Sequence, residues 1–247
     1  MDIRAQRVCV WGGPISLLMA FAGLYVAGFL PPPSPAASAE QIAAIYREHS
    51  LAIRIGGILV MASAAPFFMF IAVLSAQMKR IESDRPTFTY LQLAAGATSL
   101  APIIVFPLAW CAAAFRPEHS PDTLQALNDL GFLTMVMTTP AAMAQVIAVG
   151  MVVLSDKSAR PVFPRWVAPA SFVCAIALLS GMSCVLARTG PFAWDGKVAL
   201  GLENLGFVPW TMSMVVVLLR AIKQQEAEGY GTVQDPCAGE NVRSSRG

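Results

Sequence analysis

Polar chemistry is scarce in this chain of 247 residues. Only 13% of the residues are charged, about half the share of an average soluble domain. The two histidines, His49 and His119, both lie outside the apolar runs, so paired haem ligands and the histidine clusters of a membrane di-iron centre are missing. No HExxH, Walker-type lysine loop or GxGxxG occurs, which removes the metalloprotease, nucleotide-hydrolysing and dinucleotide-binding readings. The five cysteines, Cys9, Cys111, Cys174, Cys184 and Cys237, include no CxxC pair. Cys111 and Cys184 sit toward the same ends of their runs, and a disulfide between them requires Cα atoms within about 7 Å. Basic patches interleaved with aromatics are also lacking, and nucleic acid is not an expected partner. The sequence therefore implies no metal, no cofactor and no nucleotide.

Apolar residues are abundant instead. They make up 56% of the chain, and the mean hydropathy is +0.60. Six runs approach or exceed the roughly 20 helical residues needed to cross a hydrocarbon core of about 30 Å. They are Val10–Leu30, Ile55–Met78, Tyr90–Phe115, Leu130–Leu154, Val167–Ala187 and Val198–Ala221. None alternates apolar with polar residues as barrel strands do, so helices must satisfy the backbone within lipid. The expected fold is all-α: a polytopic bundle of six transmembrane helices over residues 1–223, in contact with the lipid bilayer. A polar tail, 224–247, is expected to be disordered.

Of the 17 Lys and Arg residues, twelve fall on one side of this layout and five on the other. Arg4, Arg7, Lys79, Arg80, Arg85, Lys157, Arg160 and Arg165 are on the richer side with the four near the C-terminus, so both termini are expected in the cytoplasm. Arg4, Arg7, the first apolar run and the small residues of "PAASAE" imitate a secretory signal. The length of the run and the prolines that follow favour its retention as a span. After "PPPSP", Ser38 and Gln41 have the spacing of a capping box. Ile42, Ile45, Tyr46, His49 and Ile53 then recur at helical intervals, predicting a short amphipathic helix over 39–53 that acts as an interfacial strut or as a lid.

The polar residues inside the spans are the candidate site. Glu203 lies 17 residues before Arg220, about 25 Å along a helix, which puts it just inside the outer edge of the hydrocarbon. Similar counting places Asp129, Arg54 and Arg188 at that interface, with Asn128 and Asn204 beside them. One reading is a girdle of salt bridges in which Glu203 pairs with Arg54 or Arg188, because an unpaired charge in lipid is costly. The other is a polar pocket in which Glu203 or Asp129 binds or protonates a ligand. Pro66, Pro102, Pro140 and Pro209 fall near the middle of four spans, where each can kink its helix. Coincident kinks would leave a cavity lined by Gln145, Thr138, Thr139, Met143, Trp210 and Met214. Gly56 and Gly57 are read as a close helix contact, as are Ser16/Ala20, Gly23/Ala27, Ala144/Ala148, Ser171/Ala175 and Ala177/Gly181.

The segments "AEQIAAIYREHSLAIRIG", "LNDLGF", "PVFPRW" and "TGPFAWDG", in this order and layout, resemble an uncharacterised family of bacterial six-span integral membrane proteins from actinobacteria and proteobacteria. The resemblance runs from the first span through "LLRAIKQ". It implies a bacterial inner-membrane location and carries no activity. Arg165 and Trp166, after Pro164, are read as an interfacial anchor at the start of the fifth span, and Trp194 as its counterpart on the other side. The functional expectation is a bundle that binds or handles a hydrophobic small molecule, such as a lipid, sterol or terpenoid. The alternatives are an acid-catalysed membrane enzyme of cyclase or isomerase type, with Glu203 as proton donor and Asp129 as stabiliser, and a structural or assembly protein.

Overall fold

The computed structural model describes residues 2–234, with side chains through Glu228. Among these residues there are helices and no strands. Six segments are long and apolar enough to cross a membrane: Ile3–Val26, Ser50–Glu82, Thr87–Phe115, Pro121–Ser155, Val167–Leu186 and Lys197–Glu228. The protein is thus a multi-pass α-helical bundle. Its polarity is turned inside out. Ser63, Gln77, Gln92, Asn128, Gln145 and Thr211 are fully buried, whereas Leu18, Tyr25, Ile58, Ile176 and Leu205 are each more than 60% exposed. An apolar exterior over an interior that holds the polar side chains is the arrangement lipid requires.

The spans are composite. α1 (Ile3–Val10) and α2 (Gly12–Val26) form the first; α4 (Ser50–Ala62) and α5 (Ala64–Glu82) the second; α6 (Thr87–Ser99) and α7 (Ala101–Phe115) the third; α8 (Pro121–Met137) and α9 (Pro140–Ser155) the fourth. The fifth is α10 (Val167–Leu179) continued by a 3-10 turn, Ser180–Leu186, and the sixth is a π-helical turn, Lys197–Leu202, followed by α11 (Glu203–Gln234). A short α3 (Ala39–Glu48) links the first two spans. The interruptions follow from proline. Pro102 and Pro140 occupy the first turns of α7 and α9, where the missing N–H is tolerated. Three of the four prolines expected to kink helices instead open a new one, and only Pro209 lies inside its helix. Pro107 is a second internal proline, within α7.

Interruption at mid-depth divides the apolar interior in two. One cluster, toward the termini, centres on Phe70, Leu74, Val149, Phe163, Met214 and Leu218. The other, toward the opposite end, centres on Phe29, Tyr46, Trp110, Phe132 and Trp194. Phe29 reaches it because Gly28, at φ +74°, ends α2 in a left-handed turn. Phe29 N donates to the Leu24 carbonyl and Gly28 N to that of Tyr25, the two bonds of a Schellman motif. The ring of Phe29 then meets Trp110 at 4.7 Å and Phe132 at 5.2 Å.

The first and second spans cross at Gly23 and Gly56, where a Cβ on Gly56 would stand 2.7 Å from that of Ala27. The close contact read at Gly56-Gly57 is therefore present, with Gly57 against Cys111. At the end bearing the termini, Arg7 pairs with Glu226 and Arg80 with Glu228 at 2.7 Å. Gln77 joins this set, donating to Gln6 and, at 2.8 Å, to Gln225. These contacts hold the end of α11 against the first two spans, and they correct the expectation for the tail: residues 224–234 are helical. The remainder of that segment, 235–247, lies outside the described residues.

Ser38 and Gln41 form the predicted reciprocal capping box. α3 ends at Glu48, so Ile53 belongs to the second span. Ile42, Ala43 and Tyr46 are buried, Gln125 donates to the Ala37 carbonyl at 3.1 Å, and Arg47 donates to the carbonyls of Pro117 and His119. That docking is the geometry of a strut. Trp166 remains exposed at the start of α10, but Trp194 is 4% exposed. Its indole donates to the Pro33 carbonyl at 2.9 Å and stacks on Phe132. Trp194 therefore belongs to the core, not to an interfacial anchor.

Candidate functional site

A cavity of about 420 Å³ lies between the first and last spans, on the half of the bundle away from the termini. Leu17, Phe21 and Leu24 of α2 face Phe207 and Val208 of α11 across it. Ile103 and Phe106 of α7, with Met135 of α8, form the back wall. Its mouth is bounded by Pro31, Pro32 and Asp195. A smaller space of about 160 Å³ continues it inward, sharing Leu17, Phe106 and Phe207 and reaching Ser63, Ser99, Thr138 and Thr139. Those four residues sit at or next to the helix interruptions. The composite spans and the cavity thus coincide: the space lies beside the helix breaks, with Ile103 packed against both apolar clusters.

Glu203 lines both compartments. It is the first residue of α11, directly after the π-helical turn. Its Oε2 is buried without a hydrogen-bond partner and lies against Gly181, where an added Cβ would stand 2.7 Å from it. The same Cβ would collide with the Val136 carbonyl. That carbonyl lacks the usual helical donor, because the residue four positions on is Pro140. Glu203 therefore stands where the interruptions of the fourth, fifth and sixth spans come together.

Salt-bridge pairing of Glu203 does not occur. Among the described residues the ion pairs are Arg7–Glu226 and Arg80–Glu228, both at the other end of the bundle. Arg54 instead donates through Nε to the Ser50 carbonyl of its own helix at 3.4 Å, and Arg188 is exposed. Asn204 lines the cavity beside Glu203, with Nδ2 donating to the Leu200 carbonyl at 2.9 Å.

Asp129 and Asn128 lie elsewhere. Asn128 is buried beneath α3, accepting from the Tyr46 hydroxyl at 3.3 Å and donating to Asp129 Oδ1 at 3.3 Å. Burial, with the Asp129 carboxyl nearby, pushes the Tyr46 phenol far above its ordinary range. Neither Asp129 nor Asn128 lines the cavity, so the structure does not bring Asp129 and Glu203 to one site. Gln145 and Trp210 are buried and line neither compartment. Gln145 Oε1 lies 3.5 Å from Ser99 Oγ, whose proton goes to the Gly96 carbonyl at 2.7 Å, and the buried Nε2 of Gln145 has no partner among the described residues; the Trp210 indole donates to Ser171 at 3.0 Å. Met143 and Met214 likewise lie outside the cavity wall, whereas Thr138 and Thr139 line its deep end as expected.

Asp195 and the phenylalanines are the lining residues that sequence reasoning missed. Asp195 sits in the "PFAWDG" loop and has no hydrophobic pattern to mark it, and a phenylalanine in an apolar span carries no signal of which way it faces. Among the described residues no cluster of three or more His, Cys, Asp or Glu could hold a metal ion. Cys9, Cys111, Cys174 and Cys184 are free thiols, so Cys111 and Cys184 are not bridged. No protein-family model, no curated protein and no solved structure matches this chain.

Proposed function

We propose that this is a bacterial inner-membrane protein, its termini in the cytoplasm, that binds a hydrophobic small molecule of lipid, sterol or terpenoid kind between its first and last spans. The observation that carries this reading is the cavity of about 420 Å³, apolar on its long walls and bearing the buried Glu203 carboxyl at its inner end. Ligand sites are typically of this size, largely apolar with a few convergent polar groups.

The test is native mass spectrometry with lipid extraction on detergent-purified protein, comparing wild type with Glu203→Gln. A discrete molecule retained by wild type and depleted in the variant is the expected result. No bound molecule in either, with the variant altered only in stability, overturns the reading.

The same unpartnered carboxyl favours one second reading, acid catalysis on such a ligand with Glu203 as the donor. Asp129 has no part in it, being outside the cavity. This version requires a product of altered mass or structure in wild type that disappears in Glu203→Gln while binding persists.

A further inference from the structure

The charged groups around the cavity are of one sign. Glu203 presents a buried carboxyl oxygen that no protein donor meets, and Asp195 contributes a second carboxyl at the mouth. No Lys, Arg or His lines either compartment. Of the side-chain donors nearby, the Ser16 hydroxyl has no partner among the described residues and Thr139 reaches only Met143 Sδ at 4.0 Å, while four others are engaged. Ser63 donates to the Val60 carbonyl, Ser99 to Gly96 at 2.7 Å, Thr138 to Thr134 at 2.6 Å and the Asn204 amide to Leu200. Their oxygens remain as acceptors. Beside Glu203, the Val136 carbonyl adds another, left without its helical donor by Pro140.

Buried acceptors without donors are costly, and the most effective relief is a cationic donor. An ammonium group carries donors and no acceptor, the complement of this wall. Four rings, Phe21, Phe29, Phe106 and Phe207, border the same space. Their faces favour a cation over a neutral or anionic head, most strongly where water is excluded.

We infer that the ligand is a hydrophobic amine bound in its protonated form, its ammonium directed at Glu203 and its apolar body held against the phenylalanines. This rests on the reading of the cavity as a ligand site and adds the sign of the ligand's charge. Asp195 at the mouth attracts the same charge and sets the direction of approach. A fatty acid or other anionic amphiphile meets two carboxyls and no compensating cation, and is rejected.

Three fluorescent probes of one ring system test it: 9-anthracenemethylammonium, 9-anthracenemethanol and 9-anthracenecarboxylate. Each is titrated into the full-length protein in nanodiscs of zwitterionic lipid, with empty nanodiscs as the blank. The ammonium should bind about ten-fold more tightly than the alcohol, the scale of one charge-assisted hydrogen bond, and the carboxylate should not bind. In Glu203→Gln the ammonium should lose its advantage over the alcohol. Asp195→Asn, in an exposed loop position, supplies a variant that leaves the bundle intact, and it should weaken the ammonium alone, by about two- to three-fold. Alcohol binding equal to or tighter than ammonium binding overturns the charge assignment while leaving the cavity reading standing. Tightest binding by the carboxylate does the same, and failure of all three probes overturns both.

Discussion

The junction at Gly181 makes a quantitative prediction. Adding one methyl there, in Gly181→Ala, places a Cβ 2.7 Å from Glu203 Oε2 and 3.2 Å from Thr139 Cγ2, and drives it into the Val136 carbonyl. The carboxyl can swing away, but the carbonyl belongs to the backbone at the end of α8 and yields only if the interruption itself moves. Overpacking of this kind costs about 1–3 kcal/mol, while replacing a helical glycine with alanine returns up to about 1 kcal/mol. The net expectation is a destabilisation of about 1–2 kcal/mol. Gly201→Ala is the matched control: its Cβ would meet nothing closer than Lys197 Cβ at 3.9 Å, so the variant should be neutral or stabilised by up to about 1 kcal/mol. Both variants are compared with wild type by the fraction surviving size-exclusion chromatography after heating in detergent. Gly181→Ala should lose its folded peak at a clearly lower temperature than Gly201→Ala. Combining it with Glu203→Ala, which removes one of the close contacts, should recover part of the loss. Equal stability of the two single variants refutes the close junction and, with it, the position of the Glu203 carboxyl.

Other regions give further tests. Replacing Gln77 with Leu leaves Gln6 and Gln225 without its amide, and Arg80 Nη1 with the Ala221 carbonyl but without the Gln77 oxygen at 2.7 Å; the expected loss in thermal stability corresponds to about 1–3 kcal/mol, whereas Glu226→Gln, which breaks a partly exposed ion pair, should cost under about 1 kcal/mol in the same assay. Tyr46→Phe removes the hydrogen bond to Asn128 and should cost about 1 kcal/mol, with hydrogen exchange rising first in α3. Asp156, just past α9, is subject to burial, which raises its pKa, but bonds from Ser158 and Val162 and the charge of Arg165 outweigh that and hold the carboxyl below its usual range. Its contribution to the 156–162 turn is therefore complete above about pH 4 and lost as the pH falls through the lowered value. Amide protection at Ser158 and Val162 should be flat from pH 6 to 8, drop in acid, and be low at neutral pH in Asp156→Asn.

Much of the architecture was legible because membrane spans and helix caps are local. Twenty apolar residues declare a span whatever they pack against, and Ser38 with Gln41 declares a helix start within three positions. The position of Glu203 along its span likewise comes from a rise of about 1.5 Å per residue. Rotation about the helix axis is different. Successive side chains turn by about 100°, so residues equal in depth can face opposite ways. For that reason Asp129, Arg54 and Arg188 looked like partners for Glu203, and none of them hydrogen-bonds to it.

The sequence alone thus determined six apolar helical spans and a carboxyl placed within an otherwise apolar run, since each depends on composition and spacing along one chain. Tertiary structure alone decided that Pro66, Pro102 and Pro140 start new helices, that Trp194 and Trp210 are buried in packing, that α11 runs on to Gln234, and that Glu203 lines a cavity while its Oε2 has no hydrogen-bond partner. These outcomes depend on which helix lies next to which and on how each is turned, and contacts between distant parts of the chain set both.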